Sequence, residues 1–345
     1  MPTVVAILHP HFLAAECGEV LQHPDRRNWR TPAVIGVPRW RRLMDKMRRL
    51  AILPIAMLVL AACQAGDGGG SPAATGGTGD GAVCDSGELD GQLAAVCEAG
   101  VLVVSTDPAY PPQSFLNEDT GEYEGFDIDV ATEIANRLGV DVEFTDPTFD
   151  AVVAGNWSGR WDVSVGSVTV TEERKEVLDF TQPYYYTPAQ MAALADSDVT
   201  SVEDLAGQTV CVGEQTTYLF WIDGTLSLPA EAGEIAAVPE GMQATTLPTD
   251  IDCAEAWKSG RTDDFQGWLT ALPTAQGAID NDYPVTLIGD PVFFEPLAVA
   301  FDKSVEDNDS LVAAVDEIIG QMHEDGTLTS LSEEWYEGLD YTTQE

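Results

Sequence analysis

From Val101 to the end of the chain, short β-branched runs alternate with stretches of helical period, and this alternation restricts the fold more than any other feature. Val101–Ser105 (VLVVS) reads as a buried strand. Phe126, Val130, Ile134 and Leu138 recur every four residues, one face of a helix that Gly139 closes. Val140, Val142 and Phe144 then alternate as a strand, a short helical TFDAVVAG follows, and WDVSVGSVTV is strand-like again. Farther on, Ser201 has the form of an N-cap, leading through Gly207 to the strand TVCVG. Further strands are predicted at Ala244–Leu247, Asp263–Gln266 and Val285–Ile288. Leu311, Val315, Ile318, Ile319 and Met322 mark a long amphipathic helix between Asn308 and Gly326, and a last short helix holds Trp335. The class is α/β, and 345 residues suit two lobes of about 100–150 residues each.

The N-terminal part runs against this pattern. Leu50–Leu60 is an apolar run behind Lys46, Arg48 and Arg49, too short to span a bilayer comfortably but shaped like a signal-peptide core. It ends in Leu60-Ala61-Ala62-Cys63, which resembles the lipobox of bacterial lipoproteins, whose signal is removed before a lipidated Cys. Residues 44–62 are therefore predicted to be a lipoprotein signal peptide and Cys63 a lipid anchor. Residues 1–43 are expected to be an upstream extension from a start-site error, translation beginning at Met44 or Met47. Residues 64–80 are rich in Gly, Ala, Ser and Thr and form a tether with a reach of roughly 20–25 Å. The globular part is accordingly expected outside the cell membrane, in the periplasm or on the outer cell surface.

Charge and cysteines narrow the chemistry. Nine of the 16 basic residues and only four of the 58 acidic ones lie before Cys63, so the body has a formal charge near −47. Such a body repels nucleic acid and anionic lipid headgroups, and it suits either a soluble secreted exterior or adaptation to high salt. Beyond Cys63 only His323 remains of four histidines, which removes Ser-His-Asp, Cys-His and multi-histidine zinc arrangements; no P-loop is present, and no metal or cofactor is expected. Four cysteines, Cys84, Cys97, Cys211 and Cys253, allow three connectivities, and pairing Cys84 with Cys97 and Cys211 with Cys253 keeps each bridge local.

STDPAYPPQSF, EGFDIDVATEIANRLG and GSVTVTEERKEVLDFTQPYYY, in that order and spacing, resemble the extracellular solute-binding proteins of family 3, the polar amino-acid receptors of ABC importers. SVEDLAGQTVCVGEQTT and the terminal LVAAVDEIIGQMHEDGTLTSLSEEWYEG extend the resemblance over about residues 85–338. It implies a two-lobed periplasmic-binding-protein fold of type II, with two hinge crossings and the ligand in the cleft. Lobe one would comprise residues 85–191 plus 300–341, lobe two residues 196–294, with residues 63–84 as anchor and linker. The crossings would fall near Met191–Ala195 and Leu297–Phe301.

The resemblance also implies site residues. Arg174, in the motif T-x-T-x-E-R, would clamp a ligand carboxylate; the plainer alternative is a surface Arg paired with Glu172, Glu173 or Glu176. Ser167 and Thr169 match positions that hold the ligand's polar head, and Asp107, Tyr110 and Phe149 match the lobe-one wall. Gln215, Thr216 and Thr217 would open a helix whose free N–H groups suit a carboxylate. Family members often carry an acid for the ligand ammonium where this chain has Trp268. Asp263 or Asp264 would replace it after a shift, or Trp268 would meet the cation by a cation–π contact of about 0.5–2 kcal/mol. The implied function is capture of a polar amino acid or similar small carboxylate by a monomer that hands it to a permease. The alternatives are an osmolyte or quaternary-amine receptor, suggested by Trp268 and Tyr184-Tyr185-Tyr186, and a periplasmic enzyme of the cyclohexadienyl dehydratase kind.

Overall fold

The computed structural model describes residues 82–87 and 89–343. The extension, the signal peptide, Cys63 and most of the linker lie outside the described residues. Among the described residues no helix is long and apolar enough to cross a membrane.

One continuous path of strands runs through two lobes. The strands are β1 (Val101–Ser105), β2 (Ala109–Tyr110), β3 (Ser114–Leu116), β4 (Tyr123–Glu124), β5 (Asp141–Thr145), β6 (Val163–Thr169) and β7 (Leu178–Phe180). Then come β8 (Tyr185–Leu194), β9 (Thr209–Gly213), β10 (Gln243–Leu247), β11 (Gly267–Ala271), β12 (Val285–Leu287) and β13 (Phe293–Asp302). The main order is β10-β9-β11-β8-β13-β6-β1-β5, while β2, β3 and β4 form a separate small sheet. Parallel β1, β5 and β6 belong to lobe one, parallel β9, β10 and β11 to lobe two, and the long antiparallel strands β8 and β13 join them. The helices are α1 (Gly91–Ala99), α2 (Phe126–Leu138), α3 (Phe149–Val153), α4 (Thr217–Ile222), α5 (Ile251–Lys258), α6 (Leu272–Asp280), α7 (Asp309–Glu324) and α8 (Thr327–Trp335).

Periodicity accounts for most of these elements. The four-residue recurrence in α2 is its buried face, and Gly139 ends the helix at φ +88°, its N–H returning to the Ala135 carbonyl. Ser201 does cap a turn, a 3-10 helix over Val202–Leu205 closed by a reciprocal capping box with Asp204. Every residue of β6 is buried, because helices and loops cover both faces of the sheet.

Two expectations are corrected. The strand predicted at Asp263–Gln266 is β11, which begins at Gly267 and is buried throughout, while Asp263 and Asp264 stay on the exposed turn before it. The first crossing also comes earlier than Met191. Tyr184 and Tyr185 pack in the lobe-one core, whereas Ala189, Met191 and Ala193 already pack in lobe two. On the return strand the change falls between Phe293 and Leu297. Each disulfide is local: Cys84–Cys97 ties the segment before β1 to α1, and Cys211–Cys253 ties β9 to α5.

Candidate functional site

Between the lobes, at the carboxyl ends of β6 and β9, lies a partly open cavity with water-accessible space of about 40 Å³. Lobe one contributes Arg174 through the local geometry of its motif. Thr171 Oγ1 accepts the Arg174 N–H (3.1 Å) and so starts the turn Arg174–Glu176. That turn sends the guanidinium into the cleft, where Nη1 donates to the Thr169 carbonyl (2.9 Å) and Nη2 reaches across to the Gln215 carbonyl of lobe two (2.9 Å). The guanidinium lies 5.1 Å from the centre of the Phe149 ring. Only 3% of Arg174 is exposed, and its Nε has no partner. Burial lowers its pKa to about 10, against the charge of nearby Glu295.

Lobe two contributes an acid. Asp250, 7% exposed, stands just before α5 and lines the same cavity; its Oδ1 accepts the Gly213 N–H (2.8 Å). Burial pushes its carboxyl up to about 8, with Glu295 and Asp107 adding negative charge. The third central group is Glu295, on β13 where the chain returns to lobe one. Its carboxylate accepts from Thr169 Oγ1 (2.8 Å) in lobe one and from Tyr218 OH (2.6 Å) and Thr217 Oγ1 in lobe two. With the Tyr110–Tyr218 contact (3.2 Å) and the Gln113–Thr274 bond (3.2 Å), these bonds hold the lobes closed.

The two-lobed arrangement is shared with solved amino-acid-binding proteins. The description of bacterial extracellular solute-binding proteins, family 3, matches residues 102–338. The chain belongs to that family. Among the relatives of this solute-binding protein is the L-cystine-binding protein TcyJ of Escherichia coli (strain K12), 31% identical over 73% of this chain and 88% of that protein. Two solved structures are similar at 29% identity. One is an ancestral arginine-binding protein bound to arginine (TM-score 0.59, covering 69% of this chain and 98% of the other). The other is an ancestral amino acid-binding protein, a precursor of cyclohexadienyl dehydratase (TM-score 0.60, covering 71% and 99%).

In this solute-binding protein Asp107, Tyr110, Phe149, Ser167, Thr169, Arg174, Thr216 and Thr217 all line the inner cavity. Ser167 sits at φ +56°, its Oγ donating to buried Asp127 (2.7 Å) and meeting the Tyr185 hydroxyl. Gln215 does not line the cavity; at φ +59° it turns its carbonyl to Arg174. The helix expected to offer free N–H groups is the six-residue α4, and Thr216 Oγ1 already accepts the Leu219 N–H (3.4 Å).

Trp268 is not in the cleft. It is the second residue of β11, paired with Cys211 of β9, and it packs among Cys253, Trp257, Phe265 and Ala275 with no exposed surface. The strand begins later than the sequence indicates, which draws Trp268 inward from the cleft end. Asp263 and Asp264 are exposed, the latter bonded to Arg261 (2.8 Å), so neither replaces it. Tyr184 and Tyr185 are also fully buried, and Tyr186 does not line the cavity. The aromatic surface that suggested a quaternary-amine receptor is therefore missing from the cleft. Sequence reasoning missed Asp250, Glu295 and Tyr218. The one signal for Asp250 was an acid preceding the helix-like run that follows Leu247.

Proposed function

We propose that this chain is the substrate-binding component of an ABC importer, capturing an amino acid by closure of its lobes and delivering it to a membrane permease. The observation that carries this reading is the buried Arg174 guanidinium, with Nε unpartnered, in one cavity with Asp250 from the opposite lobe. A ligand α-carboxylate takes Arg174, and its α-ammonium draws the Asp250 carboxyl back down and pairs with it, each charge meeting its opposite away from water. Ser167 and Thr169 flank the head group, and Tyr110 and Phe149 close the lobe-one wall. Relatives named for cystine, arginine and amino-acid binding support the ligand class. The protein acts as a monomer outside the cytoplasm, held at the membrane by a lipid on Cys63 and a Gly-rich tether. It performs no chemistry; the likeness to the dehydratase lineage is to a precursor that itself bound amino acids.

The test is thermal melting of the full chain against single L-amino acids, methylated amines and prephenate. At about 100 times its dissociation constant a ligand adds roughly 2.7 kcal/mol, a rise of roughly 5–10 °C for lobes of this size. A rise with an L-amino acid that Arg174→Ala abolishes is the expected result. A rise with methylated amines alone, or conversion of prephenate to an aromatic product followed by absorbance, overturns the reading.

A further inference from the structure

Strand β6, which brings lobe one to the cavity, is irregular. Where it pairs with β13, Val168 stands opposite Ala298 and Ser164 opposite Ala300, so two steps along β13 correspond to four along β6. The extra residues form a bulge, a device that re-aims a strand beside a site. Gly166 and Ser167 lie in the bulge, and both line the inner cavity. On one side the bulge is pressed against the chain that follows β1, where a Cβ on Gly166 would stand 3.3 Å from Thr106 Cα.

Within the bulge Ser167 takes φ +56°, a left-handed conformation that a residue with a Cβ enters only at a cost. Three contacts hold it there. Its N–H donates to Tyr184 OH (3.3 Å), its Oγ donates to Asp127 Oδ2 (2.7 Å), and the same Oγ meets the Tyr185 hydroxyl. Tyr184 OH donates in turn to Asp127 Oδ1 (2.7 Å), so the bonds that fix the Ser167 backbone and side chain both end on one carboxyl. Asp127 is itself fixed. Its N–H donates to the Gln113 carbonyl (2.8 Å), and Phe126 before it packs on the rings of Tyr184 and Tyr185, centroids 5.9 and 5.0 Å away. The amide and hydroxyl hydrogens of Ser167 are thus both committed inside lobe one, and the residue shapes the cavity by the course of its backbone. Asp127 has no exposed surface and does not line the cavity. A buried carboxyl without a cation lowers stability, so packing alone gives no reason for an acid at this position.

We infer that Asp127 is a positioning residue for ligand capture: from the lobe-one core it locks Ser167 in the left-handed conformation and so sets the bulge against which the ligand head group lies. This rests on the proposed amino-acid function and deepens it. Without the carboxyl, Ser167 Oγ loses its acceptor and the Tyr184 hydroxyl is free to turn. The left-handed backbone is then disfavoured by about tenfold against ordinary strand geometry, and the ligand must restore it on binding. Glycine enters the same conformation without support.

Isothermal titration of the full chain, stripped of carried-over ligand, with L-arginine, L-glutamine and L-cystine sets the reference affinities. Asp127→Ala should weaken binding of the tightest of the three at least tenfold. The same change made in a Ser167→Gly background should weaken it by less than threefold. Asp127→Asn should recover most of the loss, its Oδ1 accepting from Tyr184 and its Nδ2 donating to Ser167 Oγ. Tyr184→Phe removes the acceptor of the Ser167 N–H and keeps the ring, so it carries the same comparison should Asp127→Ala fail to fold. It should weaken binding at least threefold, and by less in the Ser167→Gly background. Equal losses in the two backgrounds, or a loss under threefold in Asp127→Ala, overturn the positioning role and leave amino-acid capture standing. Absence of binding by all three amino acids overturns the functional reading, and this inference with it.

Discussion

Asp127 is the buried charge whose effect on stability can be worked most directly. It is the second residue of α2, has no exposed surface, and accepts from Ser167 Oγ and Tyr184 OH, both at 2.7 Å, with no cation in contact. Burial raises its carboxyl to about 7 from an ordinary 3.8, against the two hydroxyl bonds that draw it down. The folded protein therefore holds a proton on Asp127 that the unfolded chain releases between those pH values. Folding stability is unaffected by this group below about pH 3.8, falls as pH rises from there, and levels off above about pH 7. At about 1.4 kcal/mol per pH unit, the loss across that window is about 4 kcal/mol. Asp127→Asn keeps the shape and cannot ionise, and the facing hydroxyls of Ser167 and Tyr184 are free to donate or accept. Urea unfolding of both proteins followed by tryptophan fluorescence, with the disulfides intact, should show wild type losing stability relative to the variant between pH 4.5 and 7.5. All other titrating groups cancel in that difference. Parallel stability curves across the window would refute a buried, proton-holding Asp127.

The remaining expectations concern the core and the cross-links. Trp268→Ala should cost about 3–5 kcal/mol as a buried cavity, measured by urea unfolding, with ligand preference unchanged. Trp268→Phe should cost less than about 1.5 kcal/mol, since the indole N–H it removes is buried without a partner; a change of ligand preference in Trp268→Phe would return that residue to the site. Replacing Cys211 and Cys253 together by Ser should lower stability by about 4 kcal/mol for a loop of this length, and the Cys84–Cys97 pair by about 3 kcal/mol, both read from unfolding midpoints.

Asp250 and Trp268 show where reading the chain residue by residue stops. The family pattern places Trp268 in the cleft, and a pattern does not register that the strand starts at Gly267 rather than Asp263. A displacement along a buried strand changes how deep each side chain lies, so an acid position becomes a core position. The buried acid that lobe two turns into the cavity comes instead from the loop after β10, held by the Gly213 N–H some 37 residues earlier in the chain.

The local features were legible for local reasons. Helical period, a left-handed Gly139 and a Ser201 capping box involve neighbours along the chain, and sequence alone determines them. The motif around Arg174 belongs with them, because Thr169 and Thr171, which direct the guanidinium, lie within five residues of it. Glu295 and Asp250 are of the other kind. Beyond Cys63 the chain holds 54 acids, and nothing along it separates the few that are buried from those that are solvated. Only the closing of two lobes around strands β8 and β13 does so. It removes water from those particular carboxylates and sets them, from distant parts of the chain, around one guanidinium.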